Sequence, residues 1–212
     1  MSEITKIQIL TWLKNCSVVF SQNRDMLTEL DAAIGDADHG LNMDRGFADV
    51  VTKLPAVENS DIGTILKTTG MSLLSKVGGA SGPLYGTFFI RAATKSMKKE
   101  SMTLDEFTDL LQAGVDGVIG RGKAEPGDKT MCDVWWDVIK EAKIAKERGD
   151  SVEDALKSMA TEAAASAEKT IPMLAKKGRA SYLGERSIGH QDPGATSTRL
   201  MIETLSNVVN GV

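Results

Sequence analysis

At 212 residues, 42% hydrophobic and 25% charged, the chain has the make-up of a globular protein with one sizeable core or two small ones. Its net charge of −4 gives no basic face for nucleic acid, and two cysteines, Cys16 and Cys132, are too few for a disulfide framework or a zinc site. No run reaches the ~18 apolar residues of a membrane span, and the N-terminus lacks a signal-peptide core, so the expectation is a soluble, cytoplasmic protein.

Almost everything between the loops predicts helix. Ile4, Ile7, Leu10, Leu13 and Phe20 recur at three- or four-residue spacing, one face of a first helix. Leu27, Leu30 and Ile34 carry a second, short helix to Gly35, which is free to take the left-handed turn that ends a helix. Asn42 to Leu54 gives a third, with Met43, Phe47, Val50 and Val51 inward, stopped by Pro55. Ser60 or Asp61 caps a fourth whose buried face holds Ile62, Ile65, Leu66, Leu73 and Leu74. The run G-G-A-S-G-P at 78–83 leads into a fifth helix, from Leu84 to about Met97. Thr103 to Glu106 is a capping box, followed by Leu104, Phe107, Leu110, Leu111 and Val118 on an inward face.

A polar loop at 120–130 precedes a helix with Met131, Trp135 and Val138 that ends at Gly149. Trp135 and Trp136 are adjacent, so only one of them can face fully inward. Ser151 caps an alanine-rich helix running toward Lys177 with a kink at Pro172. Residues 178–194 show no periodicity, and loops beyond ~12–15 residues are usually functional. The last helix takes Asp192 as cap and Pro193 as first residue, with Leu200, Leu205 and Val208 for the core. No strand pattern, repeat or linker is found. The fold class is all-α: one domain over 1–212, with eight or nine helices in up-down order.

The chemistry concentrates in Leu30 to Asn42, L-D-A-A-I-G-D-A-D-H-G-L-N. Asp31 falls on the last helical turn, and Asp36 and Asp38 lie on the loop behind it, two apart and pointing the same way. Carboxylates this close repel one another unless a cation sits between them, and an oxygen-only ligand set suits magnesium completed by phosphate oxygens. Any one of these acids read alone is an ordinary turn residue. The spacing is not an EF-hand, whose fifth and sixth positions here are Gly40 and Leu41, nor a strand-borne phosphatase D-x-D.

Four loops, 35–42, 78–83, 120–130 and 178–194, are rich in glycine and polar residues and end at or near helix N-termini, which favour phosphate. Each alone turns a corner; together with the acids they point to one shared site. A Walker A motif is excluded, because Asp128 intervenes between Gly127 and Lys129 and no strand precedes it.

The runs G-D-A-D-H-G-L-N, G-G-A-S-G-P, R-G-K-A-E-P-G-D-K-T-M and G-R-A-S-Y-L-G-E-R-S-I-G-H-Q-D-P-G-A, in this order, resemble the nucleotide-binding subunits of bacterial, phosphotransferase-system-dependent dihydroxyacetone kinases. The resemblance spans essentially the whole chain. It implies an antiparallel eight-helix barrel binding ADP (ATP when charged) and two Mg²⁺ ions at one end. It implies metal ligation by Asp31, Asp36 and Asp38. It implies nucleotide contacts at His39, Gly40, Leu41, Asn42, Ala80, Ser81, Gly122, Met131, Arg179, Asp192, Pro193 and Gly194, with Arg179 also offsetting charge at the transferring group. Implied partners are DhaM, a phosphohistidine subunit that recharges the ADP, and DhaK, which holds the dihydroxyacetone. Docking on a transcription regulator and homodimer formation stay open. Two rival readings are a phosphohistidine carrier using His39 or His190 and a nucleotide-sensing module that docks on a regulator and catalyses nothing; a nearer alternative is a kinase domain using free, exchangeable ATP.

Overall fold

Thr5 fixes where helix formation starts, because its hydroxyl accepts from the Gln8 N–H while the Gln8 side chain accepts from the Thr5 N–H. Helix α1 (Lys6–Gln22) follows, then α2 (Arg24–Ile34), α3 (His39–Lys53), α4 (Ile62–Lys76) and α5 (Ser81–Ala93). The second half holds α6 (Leu104–Gly122), α7 (Met131–Arg148), α8 (Val152–Lys169) and α9 (Pro193–Asn210). This computed structural model describes residues 2–212. The predicted caps at Asp61, Thr103, Ser151 and Asp192 each accept a backbone N–H of the first turn, and Gly149 closes α7 in the left-handed conformation.

Pairwise packing closes a ring: α1 lies on α3, then each of α3 to α9 lies on the next, and α9 returns to α1. Ring neighbours run antiparallel, so α3, α5, α7 and α9 all begin at one end. Where the resemblance implies eight helices there are nine among the described residues, and the additional one, α2, packs on α3 and α9 across that end. Trp12, Phe20, Phe47, Phe88, Phe89 and Trp135 fill the interior, with Trp135 stacked on Phe88 at 4.4 Å. Trp136 is only partly buried, as adjacency requires.

Some details depart from the periodicity. Ile7 and Leu74 face solvent, because the burying stripe of α1 and of α4 is narrower than their apolar pattern. Helix α5 starts at Ser81 rather than Leu84 and ends at Ala93 rather than near Met97; Pro83 is accommodated because first-turn N–H groups have no helical acceptor. Helix α8 stops at Lys169, ahead of Pro172, whose ring disfavours helix in the residue before it. A two-residue antiparallel pair, Ile4–Thr5 with Ser101–Met102, joins the chain start to the α5–α6 connection, where no strand is expected. The aperiodic loop contains a 3₁₀ segment, Arg179–Ser187, interrupted at Gly184.

Candidate functional site

At the end where α3, α5, α7 and α9 begin, their first turns and the loops before them enclose a cavity of about 690 Å³, within the usual range for small-molecule sites. Asp31, Asp36 and Asp38 stand on its rim, and one carboxylate oxygen from each lies within 4.8 Å of the others. Asp31 sits in the last turn of α2, and its Oδ2 accepts the N–H of Asp38 (2.8 Å) and of His39 (3.1 Å). Among the described residues Oδ1 has no protein donor. Gly35 ends α2 without a left-handed turn (φ −141°), contrary to its expected role. It is required for space instead: a Cβ there would lie 2.0 Å from Asp31 Oδ1. The left-handed residue is Ala37 (φ 61°), which swings the chain between the two loop aspartates.

Arg179 reaches this cluster from the 3₁₀ segment, its Nε 3.0 Å from Asp36 Oδ2. Arg121, Lys176 and Lys177 also line the cavity, and Pro83, Leu84, Val118 and Met131 give it an apolar wall. The helix starts are treated unequally. Thr130 and Asp192 spend their side chains capping α7 and α9, whereas Asp38 and Ala80 make no side-chain cap bond. The N–H groups at the start of α5 are therefore left for an anion, whereas at the start of α3 the Asp38 and His39 N–H groups are taken by Asp31.

His39 is buried, and burial holds its pKa down at about 4 despite the neighbouring Asp31 and Asp38. Both ring nitrogens are engaged, Nε2 with Ser197 Oγ (2.9 Å) and Nδ1 with Ser81 Oγ (3.0 Å). Tyr85 continues the network through Ser197 and Thr198, and burial pushes its hydroxyl pKa up. His190 is exposed. Neither histidine is set up as a nucleophile: one is neutral with both nitrogens occupied, and the other lies outside the cavity lining.

Of the residues expected at a nucleotide, His39, Ala80, Ser81, Gly122, Met131, Arg179, Asp192, Pro193 and Gly194 line the cavity with the three aspartates. Gly40, Leu41 and Asn42 do not. Gly40 lets α3 meet α2, since a Cβ there would fall 1.9 Å from the Arg24 carbonyl oxygen; Leu41 is half exposed; and Asn42 accepts from Arg45 Nη2 at 2.6 Å behind Gly78. Leu84, Val118, Arg121, Lys176 and Lys177 were not anticipated. A helix end beside a glycine loop was the only signal that marked Arg121.

An oxygen-only donor trio with an open Oδ1, sharing the cavity with the uncapped start of α5, fits hard divalent cations carrying phosphate oxygens. Residues 33–207 match the DAK2 domain. The chain belongs to the DAK2 family. Among DAK2 relatives it is 58% identical to the PEP-dependent dihydroxyacetone kinase ADP-binding subunit DhaL of Escherichia coli, covering 96% of this chain and 97% of that one. To the corresponding DhaL subunit 1 of Listeria innocua it is 42% identical, over 92% and 93% of the two chains. The crystal structure of the C. freundii dihydroxyacetone kinase in complex with AMP-PNP and Mg²⁺ superposes with a TM-score of 0.72 at 22% identity. That match covers 98% of this chain but 35% of the longer one, and shows a shared fold. Among the described residues no helix is long and apolar enough to cross a membrane.

Proposed function

We propose that this chain is the ADP-binding subunit of a PEP-dependent dihydroxyacetone kinase, a phosphotransferase active only with partner subunits. It keeps ADP as a coenzyme, recharged to ATP by a DhaM-type phosphohistidine subunit and spent on dihydroxyacetone held by a DhaK-type subunit. The near full-length identity to DhaL subunits supports this, and the cytoplasmic setting that goes with it agrees with two free, buried thiols, Cys16 and Cys132. The observation that carries the reading is the convergence of Asp31, Asp36 and Asp38 on a cavity into which the uncapped start of α5 opens.

Asp31, Asp36 and Asp38 would hold two magnesium ions. Bound there, the metal supplies the positive charge that lets carboxylates and phosphates share one space. Three ionised aspartates and ADP bring about six negative charges against about four from two such ions, and Arg179 offsets part of the remainder. The N–H groups at the start of α5 receive phosphate oxygens, with Ala80 and Ser81 at the turn. Leu84, Val118 and Met131 give an apolar wall for a flat base, and Gly122, Asp192, Pro193 and Gly194 shape the remaining lining. None of these groups is a base positioned for an alcohol substrate, which agrees with a substrate carried on another subunit.

Calorimetric titration with ADP tests the reading. Binding is expected with magnesium and lost in excess chelator; equal affinity in both would overturn it. The exchangeable-ATP alternative is addressed by dialysis, since a retained nucleotide marks the coenzyme mode.

A further inference from the structure

Lys129, part of the run that rules out a Walker motif, is 1% exposed and, among the described residues, forms no salt bridge within 4 Å. Its ammonium donates to the carbonyl oxygens of Thr170 (2.8 Å), Met173 (3.2 Å) and Ile171 (3.3 Å), and to that of His190. Those carbonyls belong to the two ends of one excursion of the chain, residues 170–191, which leaves α8 and returns to α9. The ends also touch each other directly: Gly189 N–H donates to the Ile171 carbonyl at 2.8 Å, and Asp192 N–H to Thr170 Oγ1 at 3.0 Å.

Between these ends only Ala175 and Ser187 are buried. Hydrophobic packing therefore does little to place the excursion, and polar fastenings must do it. Arg179 lies near its tip, on Asp36. The backbone at Lys129 adds an independent sign. Its φ of 62° is left-handed, a conformation in which glycine costs least and a lysine is strained. A strained lysine here points to a need for its side chain.

We infer that Lys129 is a positioning residue: its buried ammonium clasps both ends of the 170–191 excursion and so sets Arg179 against the acid cluster. Although Lys129 is among the residues lining the cavity, its ammonium is taken up by these carbonyls, and it acts through Arg179. Burial lowers the pKa of its ammonium while the charge of Asp192 opposes the shift. This inference rests on the proposed nucleotide site.

The test compares K129M, R179A and the double variant by magnesium–ADP titration, with amide exchange as a readout independent of turnover. K129M is expected to weaken ADP binding roughly tenfold, the scale of one hydrogen bond to a charged group. Exchange should rise in 171–190 and stay unchanged in α4 to α6. In the R179A background the same substitution should add less than about twofold, since coupled residues are non-additive. Fully additive losses, or K129M binding like the parent while R179A does not, overturn the clasp. If R179A and the aspartate variants also bind normally, it is the nucleotide site that fails. Should K129M not fold, K129A is titrated with and without ethylammonium. Recovery of folding or of ADP binding with the amine supports the clasp, and indifference to it overturns it.

Discussion

Asp128 and Asp133 belong to a different stretch from Asp31, Asp36 and Asp38, around the start of α7, that is also rich in glycine and acid. Their carboxylates are nevertheless engaged by the protein itself, with Asp128 Oδ1 lying 3.9 Å from Lys176 Nζ. Asp133 accepts the N–H groups of Gly127 (2.6 Å) and Thr130 (2.8 Å), and Asp128 that of Glu125 (2.8 Å). The 31–38 cluster is served sparsely: Asp31 gives one oxygen to two N–H groups, Asp36 meets only Arg179, and Asp38 receives no donor at its side chain among the described residues. An acid whose oxygens are all occupied shapes a loop. Acids left facing one another wait for a cation.

Asp36→Ala should break this contrast most severely. Magnesium-dependent ADP binding is expected to fall more than about 100-fold, beyond the usual effect of outer-sphere changes, while the melting temperature of the ligand-free chain holds or rises as like-charge repulsion drops. Calorimetry and thermal melts read both. Asp133→Ala should do the opposite, lowering stability by about 2 kcal/mol through two orphaned N–H groups, measurable by denaturant titration. Gly35→Ala sharpens the comparison at the acid loop itself. The added methyl must displace the Asp31 carboxylate, and about tenfold weaker metal binding is expected with little change in fold.

The most gradual effect concerns Asp192, whose pKa burial raises to about 7 against the Ala195 N–H and Lys129 that oppose the shift. Its folded pKa exceeds its unfolded one, so the folded state holds the extra proton, and stability falls as pH rises from about 4 to about 7 and is level above. Asp192→Asn keeps a capping oxygen but removes the charge. Relative to it, the parent chain should lose stability across that window, by about 1.4 kcal/mol for each pH unit the folded pKa stands above the unfolded one, seen in melts at stepped pH.

Much of this was legible in the residues. Helix caps announce themselves by type and spacing, which is why Thr103, Ser151 and Asp192 fell where expected. The acid cluster was legible because three carboxylates so near one another demand a reason. Other features were not legible, because they depend on what packs nearby. Nothing local says that Gly35 serves clearance around Asp31 rather than a left-handed turn, or that Gly40 serves a helix contact rather than a ligand. Nor does the apolar period of α1 reveal that Ile7 faces water. The fate of Lys129 was hidden for the same reason: its partners lie about forty to sixty residues further along the chain.

Both chain ends meet at Glu153, where Ser2 Oγ donates to its carboxylate at 2.6 Å and Asn210 Nδ2 to its carbonyl at 3.2 Å. Glu153 opens α8, at the pole away from the cavity. A tether fused to either terminus would therefore trail from the rear of the molecule and leave the cavity mouth clear. The same domain can in this way be carried inside a longer polypeptide or stand alone without redesign of its working end.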